Sequence, residues 1–301
     1  MMRKKNTRIS TLFAASLCFS SGLVSSPVWA SAQLTDTATP TRLLSFENLA
    51  QNPPPPVPPQ PAPLPSASVP AAAGIVGLTP ENVSDIGVGH LRPQDTFFLD
   101  SPIAANRSLL GAGWLQSIAI PIYIEPNGAY WGWIVNGWLV PNGQAPIAIG
   151  QDASFLMLQT DTDLLSFPVT QIRADGWFQF QYTPAGSAWA HVGHLNLGAT
   201  DLAIESWENH FINVGRVEFR QHGLSQSLYR APSGTTESIL GLVGPNSFIQ
   251  PLAFEGDWML VKVTQPTDGC TLLPGAITQE GWMRWRSNSQ SSLIWSPPGG
   301  C

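Results

Sequence analysis

From about residue 85 onward, short segments of alternating apolar and polar residues recur between turn-forming Gly, Pro, Asn and Asp. Ser117–Ile124 runs into Glu125-Pro-Asn-Gly128, and Trp177–Tyr182 runs into Thr183-Pro-Ala-Gly186. Trp258–Val263 and Trp282-Met-Arg-Trp285 keep the same period of two. That period sends successive side chains to opposite faces of a strand, so each segment predicts a half-buried strand. No long 3.6-period stretch occurs. Helix is expected only in fragments, around Leu43–Gln51, Asp152–Gln159 and Asp201–Asn209. Many short strands between turns predict an all-β fold of small barrels or sandwiches.

The pattern repeats. Ala174-Asp-Gly-Trp-Phe-Gln-Phe-Gln-Tyr182 and Glu255-Gly-Asp-Trp-Met-Leu-Val-Lys-Val263 both place a Gly/Asp turn before a Trp and an alternating strand. A second Trp-bearing strand follows each, Gly186–Val192 with Trp189 and Glu280–Arg286 with Trp282 and Trp285. Each pair predicts a hairpin. Two units are therefore expected, at 85–198 and 226–301, with 199–225 as the connector.

Upstream, the composition differs. Arg3, Lys4, Lys5 and Arg8 precede an apolar run ending at Leu23-Val24, then Pro27 and Val28-Trp-Ala30. This is the pattern of a cleavable secretory signal over residues 1–30, and its apolar run is too short for a membrane span. Residues 31–84 include Asn52-Pro-Pro-Pro-Pro-Val-Pro-Pro-Gln-Pro-Ala-Pro-Leu-Pro65. Proline fixes φ and removes a donor, so the segment is expected to be a disordered, extended tether rather than part of a sheet.

Export changes two counts. Cys18 leaves with the signal, so Cys270 and Cys301 remain as an even pair in an oxidising compartment, where a disulfide is expected. Closing that loop contributes about 3–4 kcal/mol on the chain-entropy account. The signal also removes four of the 14 Lys+Arg and none of the 20 Asp+Glu, leaving Lys262 as the only lysine. So acidic a chain lacks the clustered cations that nucleic acid or an anionic membrane surface requires.

Four motifs then occur in order: Leu228-Tyr-Arg-Ala-Pro-Ser-Gly234, Ile239-Leu-Gly-Leu-Val-Gly244, Gly256-Asp-Trp-Met-Leu-Val-Lys-Val263 and Gly281-Trp-Met-Arg-Trp285. Together they resemble the bacterial SH3-like (SH3b) domain family, and the layout resembles exported SH3-like proteins of cyanobacteria. Arg230 stands one residue closer to Pro232 than the family pattern has it. Val169–Leu195 resembles the family more loosely, its opening motif replaced by Ile120-Pro-Ile-Tyr-Ile-Glu-Pro126 and a Trp-rich insertion. The resemblance implies two small five-stranded SH3-like barrels in tandem. It also implies a binding role, often toward cell-wall peptide or glycan, with no catalytic residues to carry over.

Searches for chemistry return little. Nucleophilic cysteine catalysis needs a free thiolate beside a histidine, and both remaining cysteines are expected to be paired. No Gly-x-Ser-x-Gly elbow occurs. His191-Val-Gly-His194 is the only close histidine pair, with Glu205 and His210 downstream. Strand positions three apart face opposite sides, so the pair is expected to bond to backbone rather than to a metal. Asp175, Glu205, Glu255 and Asp257 are expected mostly in turns. Gly111-Ala-Gly113 is too short for a phosphate loop. No catalytic residue, metal or cofactor is expected.

The tryptophans stand out, twelve in all with one in the signal. A Trp presents an apolar face and one donor, which suits a platform for a sugar or a peptide side chain. Trp177 and Trp258 are expected in the core. Tyr130, Trp131, Trp133 and Trp138 are open between core and platform. In a regular strand, Trp282, Arg284 and Arg286 share one face, and Met283 and Trp285 the other. The candidate ligand-binding residues are thus Tyr130, Trp131, Trp133, Trp138, Trp189, Trp282 and Arg284. The expected function is an exported, non-catalytic module that binds peptidoglycan or another cell-envelope polymer. A structural or protein-interaction role in the envelope is the alternative, and a cell-wall hydrolase a more distant one.

Overall fold

The computed structural model describes residues 85–95, 111–149, 155–184 and 186–297, with positions 62, 63, 65, 69 and 83. The signal, the expected helix at Leu43–Gln51, most of the tether and Cys301 lie outside the described residues.

The fold is all-β. Ten strands form the first sheet: β1 (Gly89–Pro93), β2 (Ala119–Tyr123), β3 (Tyr130–Val135), β4 (Trp138–Pro141), β5 (Ile147–Ala148), β6 (Leu158–Asp161), β7 (Leu164–Ile172), β8 (Trp177–Thr183), β9 (Gly186–His191) and β10 (Leu202–Ser206). The one α-helix among the described residues, α1 (Trp207–Val214), follows. Then come β11 (Glu218–Phe219), β12 (Gln226–Tyr229), β13 (Ile239–Val243), β14 (Phe248–Glu255), β15 (Trp258–Asp268), β16 (Thr271–Arg284) and β17 (Ile294–Trp295). The first sheet has the order β10-β1-β7-β8-β9-β2-β3-β4-β5, with β6 on β7. The second is β13-β12-β16-β15-β14, and β11 pairs with β17. All pairings between named strands are antiparallel. The sheets are open, and the described strands close no barrel.

The two hairpins expected around the repeated Trp motifs form, as β8–β9 and β15–β16. The helix expected at Asp152–Gln159 does not. Residues 155–157 are irregular and β6 starts at Leu158, because Leu158-Gln-Thr-Asp161 alternates in the strand period and pairs with β7. The helix expected at Asp201–Asn209 is displaced to Trp207–Val214. Leu202–Ser206 is instead held extended by five consecutive register pairs with Gly89–Pro93. The change happens at Ser206, whose hydroxyl accepts from Asn209 N at 3.2 Å as the N-cap, and the helix stops at Gly215 (φ 70°).

Two cores result. The first packs Leu91, Leu115, Ile118, Ile120, Phe167, Phe178 and Phe180 among others. The second packs Trp207, Phe211, Val261, Met283, Trp285 and Ile294, but also Ile86 and Leu158 from the N-terminal half. The segment 199–225, expected to be a connector, therefore builds an edge strand of the first sheet and a helix in the second core. Trp207 Nε1 donates to Ile86 O at 2.8 Å and Arg286 Nη2 to Gly87 O at 2.7 Å, so the halves interlock.

In the second sheet the alternation is plain. Met259, Val261, Val263, Met283 and Trp285 are buried, while Trp258, Leu260, Trp282, Arg284 and Arg286 are half-buried on the opposite face. Trp258 thus departs from its expected core position, because the register beginning at Glu255↔Trp258 points Met259 inward. Trp177 is buried as expected (3% exposed), yet on the reverse of its strand from Phe178 and Phe180, against Tyr123 and His191. Gly281 lets β12 approach, since a Cβ there would lie 2.7 Å from Leu228 Cγ and 2.8 Å from Tyr229 O.

Two substitutions three residues apart, on opposite faces of β16 and its continuation, test this arrangement. Trp285→Ala empties a fully buried site and loses the Nε1 bond to Gly256 O. It is expected to cost about 3–5 kcal/mol in urea unfolding, against about 1 kcal/mol for Trp282→Ala. Equal losses would contradict the assignment of faces.

Candidate functional site

The Tyr130–Trp138 group does not form one platform. Trp133 is buried (6% exposed) with Val135 and Val140, and Tyr130 and Trp138 pack partly buried against them. Trp131 packs instead on the main core beside Tyr182. The cause is a bulge: Tyr130 pairs with Tyr123 and Gly132 with Ile122, so Trp131 has no opposite number in β2 and leaves the alternation. Ala62 and Val69, from the expected tether, pack against the Trp133 cluster. Trp189 is half-buried and in register with Gln179 and Tyr123, and Tyr123 is in turn in register with Tyr130, so of the other candidates it shares a row with Tyr130 alone.

Trp282 and Arg284 belong to a more coherent surface. Register places Tyr229, Trp282 and Leu260 in one row across β12, β16 and β15, with Arg284 and Trp258 in the row beside it. The Tyr229 and Trp258 rings meet edge-to-face at 5.5 Å, and the Arg284 guanidinium lies 5.6 Å from the Trp258 centroid. Arg284 Nη2 donates to Asp257 Oδ2 at 3.0 Å, which fixes the cation over the ring. Sequence reasoning missed Tyr229 and Trp258 as members. Their shared face follows from cross-strand register, which no single strand reveals.

A second feature is a cleft of about 450 Å³ floored by His90, Glu205 and His210, with Arg92, Thr160, Asn213 and Ser296 among its lining. His90 stands directly opposite Glu205 in the β1–β10 register, and Arg92 follows two residues on, on the same face. Gly89 permits this close pairing, as a Cβ would sit 2.4 Å from Glu205 O. His210 arrives from the first turns of α1, on the buried face shared with Trp207 and Phe211.

Glu205 Oε2 is the centre of the cluster. His90 Nε2 is 3.2 Å away, His210 Nδ1 3.7 Å, and Arg92 Nε donates to it at 2.7 Å. Asn213 Nδ2 donates to Oε1 at 2.9 Å. Burial alone would raise the Glu205 carboxyl, but the His210 and His90 imidazoles and the Arg92 charge together hold it well below the usual carboxylate range. His90 is fully buried, and desolvation pushes its imidazole down to about 4, with Glu205 opposing. It is held neutral at physiological pH. His210 Nε2 and Ser296 Oγ share a hydrogen bond at 3.2 Å. The 3.7 Å gap from Nδ1 to Glu205 exceeds hydrogen-bond reach, so Ser296, His210 and Glu205 do not form a closed nucleophile–base–carboxylate relay. Two imidazoles and a carboxylate are, however, a donor set for a borderline divalent cation.

The pair His191–His194 behaves differently. His191 Nε2 bonds Asp175 O at 2.9 Å and its Nδ1 accepts from Gly193 N at 3.0 Å, so both its ring nitrogens serve the backbone, whereas His194 Nδ1 is buried without a hydrogen-bond partner and the expected backbone bonding holds for His191 alone. Asp175 lies in a surface turn bonded to Arg173, and Asp257 beside Gly256 pairs with Arg284. Glu205, expected mostly as a turn acid, sits in β10 instead, and His90 was not anticipated at all. The one signal for His90 was the alternation in Gly89-His-Leu-Arg-Pro93, which puts His90 and Arg92 on a shared face.

Glu205→Gln keeps the side-chain shape but leaves Arg92 without its anion. It is expected to lower stability by about 2–4 kcal/mol in urea unfolding, against a few tenths for Glu255→Gln at an exposed site. Compared with known proteins, the chain matches no family model, and neither a curated protein nor a solved structure matches it.

Proposed function

We propose that this is an exported, non-catalytic binding module that recognises peptidoglycan or another envelope polymer through the outer face of its second sheet. The observation that carries the reading is the Tyr229–Trp282–Leu260 row with Trp258 and Arg284 beside it. Aromatic rings held half-exposed by a rigid sheet lose little entropy when a ligand stacks on them. Arg284, stacked on Trp258 and fixed by Asp257, adds a cation for a carboxylate, a group that wall peptides carry. The SH3-like motifs at 228–234, 239–244, 256–263 and 281–285 support the same reading, since this face is built largely from them. The secretory pattern at residues 1–30 supports a location in the periplasm, cell wall or beyond. In that compartment Cys270 pairs with Cys301, and in a tryptic digest the last peptide is expected to run linked to the Cys270 peptide and to be released from it on reduction.

A protein partner is the second reading, favoured by Leu272, Leu273 and Ile277, which are exposed on the far part of the β15–β16 hairpin.

Retention on insoluble sacculi separates the two. The wild-type protein is expected to sediment with purified peptidoglycan, and a Trp258→Ala/Trp282→Ala variant with unchanged circular dichroism to lose at least tenfold in affinity. A Leu272→Ser/Ile277→Ser variant should bind normally. Loss in that second variant alone, or no retention of folded wild type, would falsify the polymer reading.

A further inference from the structure

We infer that His90, Glu205 and His210 bind one divalent transition-metal ion of the zinc class, at a site open to the cleft between β1, β10 and α1. This goes beyond the envelope-binding reading and does not depend on it.

The spacing supports it first. Ligands at about 2.0–2.2 Å from a tetrahedral zinc lie roughly 3.3–3.5 Å from one another. Glu205 Oε2 stands 3.2 Å from His90 Nε2 and 3.7 Å from His210 Nδ1, and all three donor atoms fall within 4.8 Å. The longer separation is too great for a hydrogen bond but suits two ligands of a common ion.

A second, independent sign is His90 itself. It is fully buried, Nδ1 has no hydrogen-bond partner, and Nε2 meets only the Glu205 carboxylate, at 3.2 Å. Native interiors rarely leave a buried imidazole so, because an unsatisfied polar group is costly. Coordination through Nε2 would engage it.

The surroundings fit as outer-shell support. Ser296 Oγ meets His210 Nε2 at 3.2 Å, which leaves Nδ1 as the donor toward the ion and fixes the ring. Asn213 holds Oε1, so Oε2 is the carboxylate oxygen turned toward the two imidazoles. Arg92 Nε occupies one lone pair of Oε2 at 2.7 Å. The other lone pair remains for the metal, and the guanidinium, partly in solvent, orients the carboxylate from outside. Three protein ligands leave a fourth position facing the cleft, for water or an anionic oxygen. An open position of this kind is the pattern of non-structural zinc sites.

The test is metal uptake by the intact protein. After EDTA treatment and dialysis, Co2+ is expected to bind one per chain with the visible bands of four-coordinate cobalt, and Zn2+ to displace it. Zn2+ should also raise the thermal midpoint. A His90→Ala/His210→Ala variant should lose the saturable site entirely, Ser296→Ala should weaken it about tenfold, and His191→Ala should leave it unchanged. No saturable uptake by folded wild type overturns the inference. So does one-per-chain uptake that survives in the folded double variant, which would put the ion elsewhere. Should the double variant not fold, the wild-type cobalt spectrum and its stoichiometry decide alone, and six-coordinate bands count against the site.

Discussion

The burial of Trp207 is the contact on which the rest of the fold turns. Its indole is fully enclosed, donates to Ile86 O, lies against the His90 ring at 4.7 Å, and stacks toward Phe211. One residue before it the chain is still the cap of a helix, and two before it the chain is strand β10 on the edge of the first sheet. A single side chain thus ties an edge strand, the helix and the second core together. It also fixes how deep His210 can sit, because positions 207, 210 and 211 share one helix face.

The same constraint creates the cleft. Once β10 is clamped to β1 by register and α1 is clamped by Trp207, Glu205, His90 and His210 have no freedom to avoid one another. The result is a desolvated carboxylate with an arginine and two imidazoles around it, a costly arrangement in a chain with otherwise sparse charge. Such a cluster is tolerated when it is well partnered. The Asn213 and Arg92 bonds supply part of that, and His90 has only its 3.2 Å contact with Glu205, its Nδ1 unpartnered.

The aromatic residues are distributed by the pleat. Residues directly opposite across antiparallel strands share a face, so a row such as Tyr229, Trp282 and Leu260 is assembled from three distant parts of the chain. Where a bulge interrupts the count, as at Trp131, the neighbouring tryptophans separate and one enters the core. A cluster of four aromatics within nine residues of sequence therefore gives no common surface, whereas residues more than fifty apart do.

Local pattern determined a good deal. Period-two alternation and Gly/Asp turns specified the β8–β9 and β15–β16 hairpins, the inward side of Met283 and Trp285, and the outward side of Trp282 and Arg284, because these depend only on neighbours along one strand. The backbone bonding of His191 followed from its strand-end position. The tertiary structure alone decided that Leu202–Ser206 is strand, since its hydrogen bonds go to β1 a hundred residues away. It alone turned Trp258 outward, through pairing registers set by β14 and β16, and it alone joined His90 to Glu205 and His210. Alternation tells which side of a strand a residue occupies. Which residues from other strands share that side is fixed by register and packing, and these are properties of the folded chain as a whole.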